Sequence, residues 1–65
     1  MKIRVNGQAH EIQARSLEPA LQELGYTDAL VATAVNGDFV PRSQRRTTAL
    51  ADGDTLEVLA PMEGG

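Results

Sequence analysis

There is no cysteine in these 65 residues. That absence excludes disulfides and cysteine-ligated zinc as staples, and it excludes a thiol nucleophile belonging to the chain. Any sulfur chemistry has to use sulfur brought from outside. Basic residues are few, six against nine acidic ones, for a net charge of −3. Such a balance speaks against non-specific nucleic-acid binding and suits a partner with a basic face. No apolar run approaches a membrane span, and MKIRVNG alternates in polarity where a signal peptide would carry an apolar core, so a cytosolic location with no membrane partner is expected. Also missing are an internal repeat, a Gly-rich phosphate loop, a Ser/His/Asp set, a carboxylate pair and a metal-ligand cluster. A chain this short builds only a marginal core, and an enclosed ligand pocket would consume too much of it.

What is present is a clear sequence of short elements. Met1, Ile3 and Val5 alternate with Lys2 and Arg4, the period-two pattern of a half-buried strand. Asn6-Gly7 is a strong hairpin signal, because both central residues of that turn need positive φ. Residues 8–13 supply the return strand, with Ile12 its main apolar contributor and His10 on the same face, partly covered and structural in role. Ser16 is placed to cap a helix with its side-chain oxygen. Pro19 falls in the first turn, where its missing N–H costs no internal bond, and Glu18 sits near the positive end of the helix dipole. Leu17, Ala20, Leu21 and Leu24 form one apolar stripe, and Gly25 closes the helix. Tyr26 covers the helix end.

Residues 30–36 are nearly all apolar and read as a strand with neighbours on either side. Asn36-Gly37 repeats the tight-turn signal, Asp38–Val40 runs back, and Pro41 ends the pairing. Arg42, Arg45 and Arg46 form the one basic cluster, read here as a solvated loop in preference to a phosphate or acidic-partner site. Asp52-Gly53-Asp54 is a turn; the longer ligand-spaced loop of a calcium site is missing. Residues 55–60 make the last strand, Leu56 and Val58 on one side, with Leu59 turned outward. Leu59, with Phe39 and Met62, is expected to form a small apolar docking patch. Pro61 ends the domain, assigned to 1–61, and 62–65 form a flexible tail.

Gly64 and Gly65 close the sequence. A Gly-Gly pair at the end arises by chance about once in two hundred chains. It is either a loose end or a segment slim enough to be threaded into another protein's active site. At about 3.3–3.6 Å per residue, the four residues from Met62 onward reach roughly 13–14 Å.

The order strand, strand, helix, strand, strand, strand is solved most simply by a mixed sheet of four to five strands with one helix across it, an α+β roll of the β-grasp type. VNG, VPRSQ, DGDTLEVL and PMEGG, in that order and at those spacings, resemble the ThiS family of thiamine-pathway sulfur carriers over essentially the whole chain. The most specific combination is the DGD turn, the final strand and the closing Gly-Gly. Glu63, immediately before the glycines, makes this tail more acidic than an all-small-residue one.

The resemblance implies a ubiquitin-like β-grasp protein that is a co-substrate and not an enzyme. It implies that an E1-like, ThiF-type adenylyltransferase uses ATP and Mg²⁺ to adenylate the Gly65 carboxyl group, with neither cofactor bound by this chain. A persulfide donor then replaces AMP to give a thiocarboxylate (1-thioglycine), which hands sulfur to a ThiG-type thiazole synthase. Gly64 and Glu63 would present the reacting residue. A free terminal carboxylate is ionised at neutral pH and repels nucleophiles, so activation is chemically necessary. Carriers for molybdopterin or cysteine synthesis share this terminal chemistry. A ubiquitin-like modifier also needs a Gly-Gly end, although Lys2 is the only lysine available for self-conjugation.

Overall fold

The computed structural model describes residues 1–26 and 30–60. The expected tail, and the boundary placed at 61/62, lie outside them. The elements are β1 (Lys2–Val5), β2 (Gln8–Glu11), α1 (Leu17–Glu23), β3 (Ala32–Val35), β4 (Asp38–Val40), a 3₁₀ helix at Arg42–Thr47, and β5 (Thr55–Leu59). They form one five-stranded sheet in the order β2-β1-β5-β3-β4. β1 and β5 pair in parallel; every other neighbouring pair is antiparallel. The mixed sheet with one α-helix is the β-grasp arrangement expected from the order of elements. β3 does lie in the same sheet as the first hairpin, but the last strand separates them.

Alternation decides which face is covered. Ile3 and Val5 of β1, Leu56 and Val58 of β5, and Val40 of β4 are buried against Leu17, Ala20 and Leu21 of α1. Thr33 shares that inner face; its hydroxyl donates to the Val40 carbonyl at 3.0 Å, which makes its burial tolerable. Ile12 is buried just beyond the end of β2, and His10 is half-buried, as the alternation predicts.

Both hairpins turn where expected, with φ of 50° and 85° at Asn6 and Gly7 and 52° and 85° at Asn36 and Gly37. The asparagines have a second task that the turn signal does not reveal. Asn6 Nδ2 donates to the Val58 carbonyl at 3.0 Å, and Val58 N–H donates to Asn6 Oδ1 at 2.9 Å. The side-chain amide thus adds one more rung beyond the β1–β5 ladder. Thr55 N–H similarly donates to Asn36 Oδ1 at 3.0 Å. Asn6→Gly keeps the turn but deletes both bonds, and is expected to cost about 2 kcal/mol in urea unfolding. Asn6→Ala should cost about 1 kcal/mol more, because alanine must enter the left-handed region.

The helix begins differently from the expectation. Ser16 occupies the N-cap position but makes no side-chain capping bond. Its backbone pairs instead with Ala49 in an isolated antiparallel bridge, Leu17 N–H donating to Thr48 and Leu50 N–H donating to Arg15, both at 2.9 Å. A tertiary strand contact therefore satisfies the Leu17 N–H, while the serine oxygen takes up neither first-turn donor it could reach: it makes no bond to Glu18 N–H, and Pro19 has no N–H. Ser16→Ala should accordingly change stability by only about 0.5 kcal/mol or less, below the usual loss of about 1 kcal/mol for a serine cap. The other end follows the expected chemistry. Gly25 takes φ of 96°, Gly25 N–H donates to Gln22 and Tyr26 N–H to Leu21, the paired bonds of a Schellman motif.

Candidate functional site

The ends of β4 and β5 and the start of β3 meet at one end of the sheet, since β3 runs antiparallel to both. With Val40, Thr33 and Val58 pointing into the core, Phe39 and Leu59 must point away from it. The register sets Phe39 opposite Ala34 and Leu59 opposite Ala32. Alanines between the two large side chains leave both standing free, each 68% exposed. The expected docking pair is thus on the surface and on one face. Met62, its third member, lies outside the described residues, as do Glu63, Gly64 and Gly65.

The structure adds a residue that sequence reasoning passed over. Leu30, just ahead of β3, is 71% exposed and completes the set of exposed large apolar side chains among the described residues. Leu30, Phe39 and Leu59 all line one groove of about 600 Å³ at this end of the sheet. Its helix side is formed by Glu18, Leu21, Gln22 and Tyr26. Ala60, the residue preceding Pro61, also lines it. A concavity of ligand size does exist, then, but it lies over the sheet end and leaves the core filled. The expectation that a pocket would hollow so small a core holds only for an enclosed one.

Arg42 and Arg45 form the remaining wall. The expected solvated loop is in fact a 3₁₀ helix, entered through Pro41 at φ −65° and ψ 155°. At three residues per turn, side chains at i and i+3 stack on the same side, which places Arg42 and Arg45 together. Arg46 faces elsewhere and is exposed, as expected, and Arg42 is exposed within the groove. Arg45 departs from the expectation. It is 8% exposed, and its Nη2 donates to the Val31 carbonyl. Its Nε is buried with no hydrogen-bond partner among the described residues. Among the described residues the only ion pair joins the N-terminal ammonium to Glu11 at 3.6 Å, so none of the three arginines has a carboxylate there. A guanidinium held this way carries a desolvation cost of the order of several kcal/mol that one neutral carbonyl offsets only in part.

Elsewhere the charged residues serve the fold. Asp52 Oδ1 accepts from Lys2 N–H at 2.7 Å, Asp54 Oδ2 accepts from Ala51 N–H at 2.8 Å, and the Glu23 carboxylate accepts from Gln13 and Ala14. The DGD turn is thus a structural corner. Among the described residues no cluster of three His, Asp or Glu side chains is arranged to hold a metal.

The fold and the groove together define a small β-grasp domain with a mixed apolar and arginine concavity at the far end of its last strand. The particular family follows from comparison: the ThiS family model matches residues 3–65, and the chain belongs to that family. It is 31% identical over 61 residues to the sulfur carrier protein ThiS of Thermus thermophilus, covering 94% of this chain and 95% of that one. It is 38% identical over 66 residues to a thiazole synthase of Paramagnetospirillum magneticum, covering all of this chain but only 20% of that longer protein. The chain thus spans about a fifth of the length of that relative. Among solved structures, the crystal structure of the thiamine biosynthesis protein ThiS from Geobacter metallireducens superposes with a TM-score of 0.84 at 29% identity over the whole of both chains. The solution structure of a thiamine biosynthesis protein from the same organism gives 0.79 at 28% identity, covering all of this chain and 88% of that one.

Proposed function

We propose that this protein is a sulfur carrier of thiamine biosynthesis and that Gly65 is the residue that carries the sulfur. The observation that supports this best is the extent of the family match, which runs through residue 65 and so includes the Gly-Gly pair. In this reading an adenylyltransferase, with ATP and Mg²⁺ of its own, joins the Gly65 carboxylate to AMP with release of pyrophosphate. The terminal sulfur of a protein persulfide then attacks the acyl carbon and AMP leaves. Reductive cleavage of the resulting S–S bond by a thiol frees the thiocarboxylate. Gly64 and Gly65 lack Cβ atoms and so fit a narrow channel, while the folded domain supplies the handle by which partners hold the tail.

Thiazole synthase is the proposed acceptor. The likeness of this chain to one fifth of a protein named thiazole synthase supports that pairing, because it places carrier-like sequence in the same polypeptide as the acceptor enzyme. It also favours thiamine over molybdopterin or cysteine synthesis as the pathway. The test is intact mass after incubation with the adenylyltransferase, ATP, Mg²⁺ and a persulfide source. Replacement of one oxygen by sulfur, mapped to Gly65, is the expected result. Attachment to a lysine instead identifies a modifier, and an unchanged mass removes the carrier reading.

A further inference from the structure

We propose that the groove at the sheet end is the docking site for thiazole synthase, and that it accepts an acidic side chain flanked by apolar ones. This rests on the reading of thiazole synthase as the partner and specifies which surface it holds and with what chemistry. The carboxylate sits on Arg42 and Arg45, and its apolar neighbours cover Leu30, Phe39 and Leu59.

Three features converge on this assignment. Arg45 is more than nine-tenths buried, its Nε has no acceptor among the described residues, and it borders the groove. A carboxylate docked in the groove offsets the charge of this poorly compensated guanidinium at the edge that borders the groove, the Nε itself being sealed from solvent. Arg42, one 3₁₀ turn earlier, adds a second cation on the same side, while Glu18 on the helix wall forms no ion pair with either among the described residues. Second, all the exposed large apolar side chains of the described residues gather here. Arginine set among aromatic and aliphatic side chains is the composition of an interface hot spot. Third, Ala60 lines the groove, so a partner seated there stands at the root of residues 61–65. Five extended residues reach roughly 17 Å, the scale of a path from a docking surface into an enzyme's cleft. The local sign is opposite to that of the chain as a whole. The net charge of −3 suggests a basic-faced partner, whereas this groove selects an acidic one.

The test is calorimetric titration of the full-length carrier into purified thiazole synthase from the same source, at low and high salt. Arg42→Glu and Leu59→Asp alter exposed side chains and should leave the circular dichroism unchanged. Each is expected to weaken binding about tenfold or more. Wild-type affinity should fall with salt, and Arg42→Glu should flatten that dependence. Arg15→Glu, which changes an exposed arginine outside the groove, should bind within about twofold of wild type. Normal binding by both groove variants overturns the docking site while leaving the partner intact. Salt-independent wild-type binding overturns its acidic character. No binding by wild type removes thiazole synthase as the partner, and the docking proposal with it.

Discussion

Gly65→Ala is expected to lower the rate of adenylation by about a hundredfold, read as carrier- and ATP-dependent pyrophosphate release with the purified adenylyltransferase. The proposed reaction needs the Gly65 carboxylate in line with the α-phosphate of ATP. A methyl group on the adjacent carbon narrows the accessible φ and ψ and occupies space in the narrow channel proposed for the tail. A displacement of about 1 Å at a reacting atom costs on the order of a hundredfold in rate. The domain itself is unchanged by the substitution, so docking should persist while chemistry fails. Thus the variant should compete with wild type for the enzyme. Loss of competition would mean that the last glycine contributes to holding the complex, and an unchanged rate would place the reacting group elsewhere.

Leu56→Ala should be the most damaging single change to the fold. Leu56 is completely buried on β5, the middle strand, between β1 on one side and β3 on the other. Truncating such a leucine costs about 2–5 kcal/mol. A 65-residue domain has a total stability of roughly 3–10 kcal/mol at the usual per-residue value. The substitution therefore removes much of the available stability and should lower the melting temperature by about 15 °C. Leu59→Ala, three residues further along the same strand, should shift stability by only about 0.5 kcal/mol because its side chain is already in solvent. Urea titrations of the two variants followed by circular dichroism separate these outcomes. Similar midpoints for both would mean that Leu59 is covered in solution.

Local patterns carried most of the fold. The alternation in MKIRV and DTLEVL sets which side chains enter the core, and the two Asn-Gly pairs set the hairpins, because both signals depend on a few adjacent residues. Strand order was less legible: nothing near residues 55–59 records that they lie between β1 and β3. Ser16 shows the same limit, since its backbone bridges to Ala49, far along the chain, and its side chain makes no capping bond. In the groove, Leu59 was readable as an apolar residue turned outward, with Phe39 grouped beside it, whereas Leu30 was absorbed into an apolar run. Arg45 was the hardest. Three nearby arginines look alike in sequence, and the burial of one follows from a 3₁₀ turn that has no apolar periodicity to announce it. The available signal was the i, i+3 spacing of Arg42 and Arg45 directly after Pro41.

The central place of β5 also bears on how the protein is made. Until residues 55–59 have emerged from the ribosome, β1–β2 and β3–β4 are two hairpins with no ladder between them. Isolated hairpins are marginal in water, so no stable sheet is available until β5 has emerged. A product truncated before β5 lacks the strand that joins the halves and, with it, the root of the tail. Incomplete chains are thereby left open to proteolysis, and the molecules that survive to meet a partner are those that already carry the strand leading to Gly65.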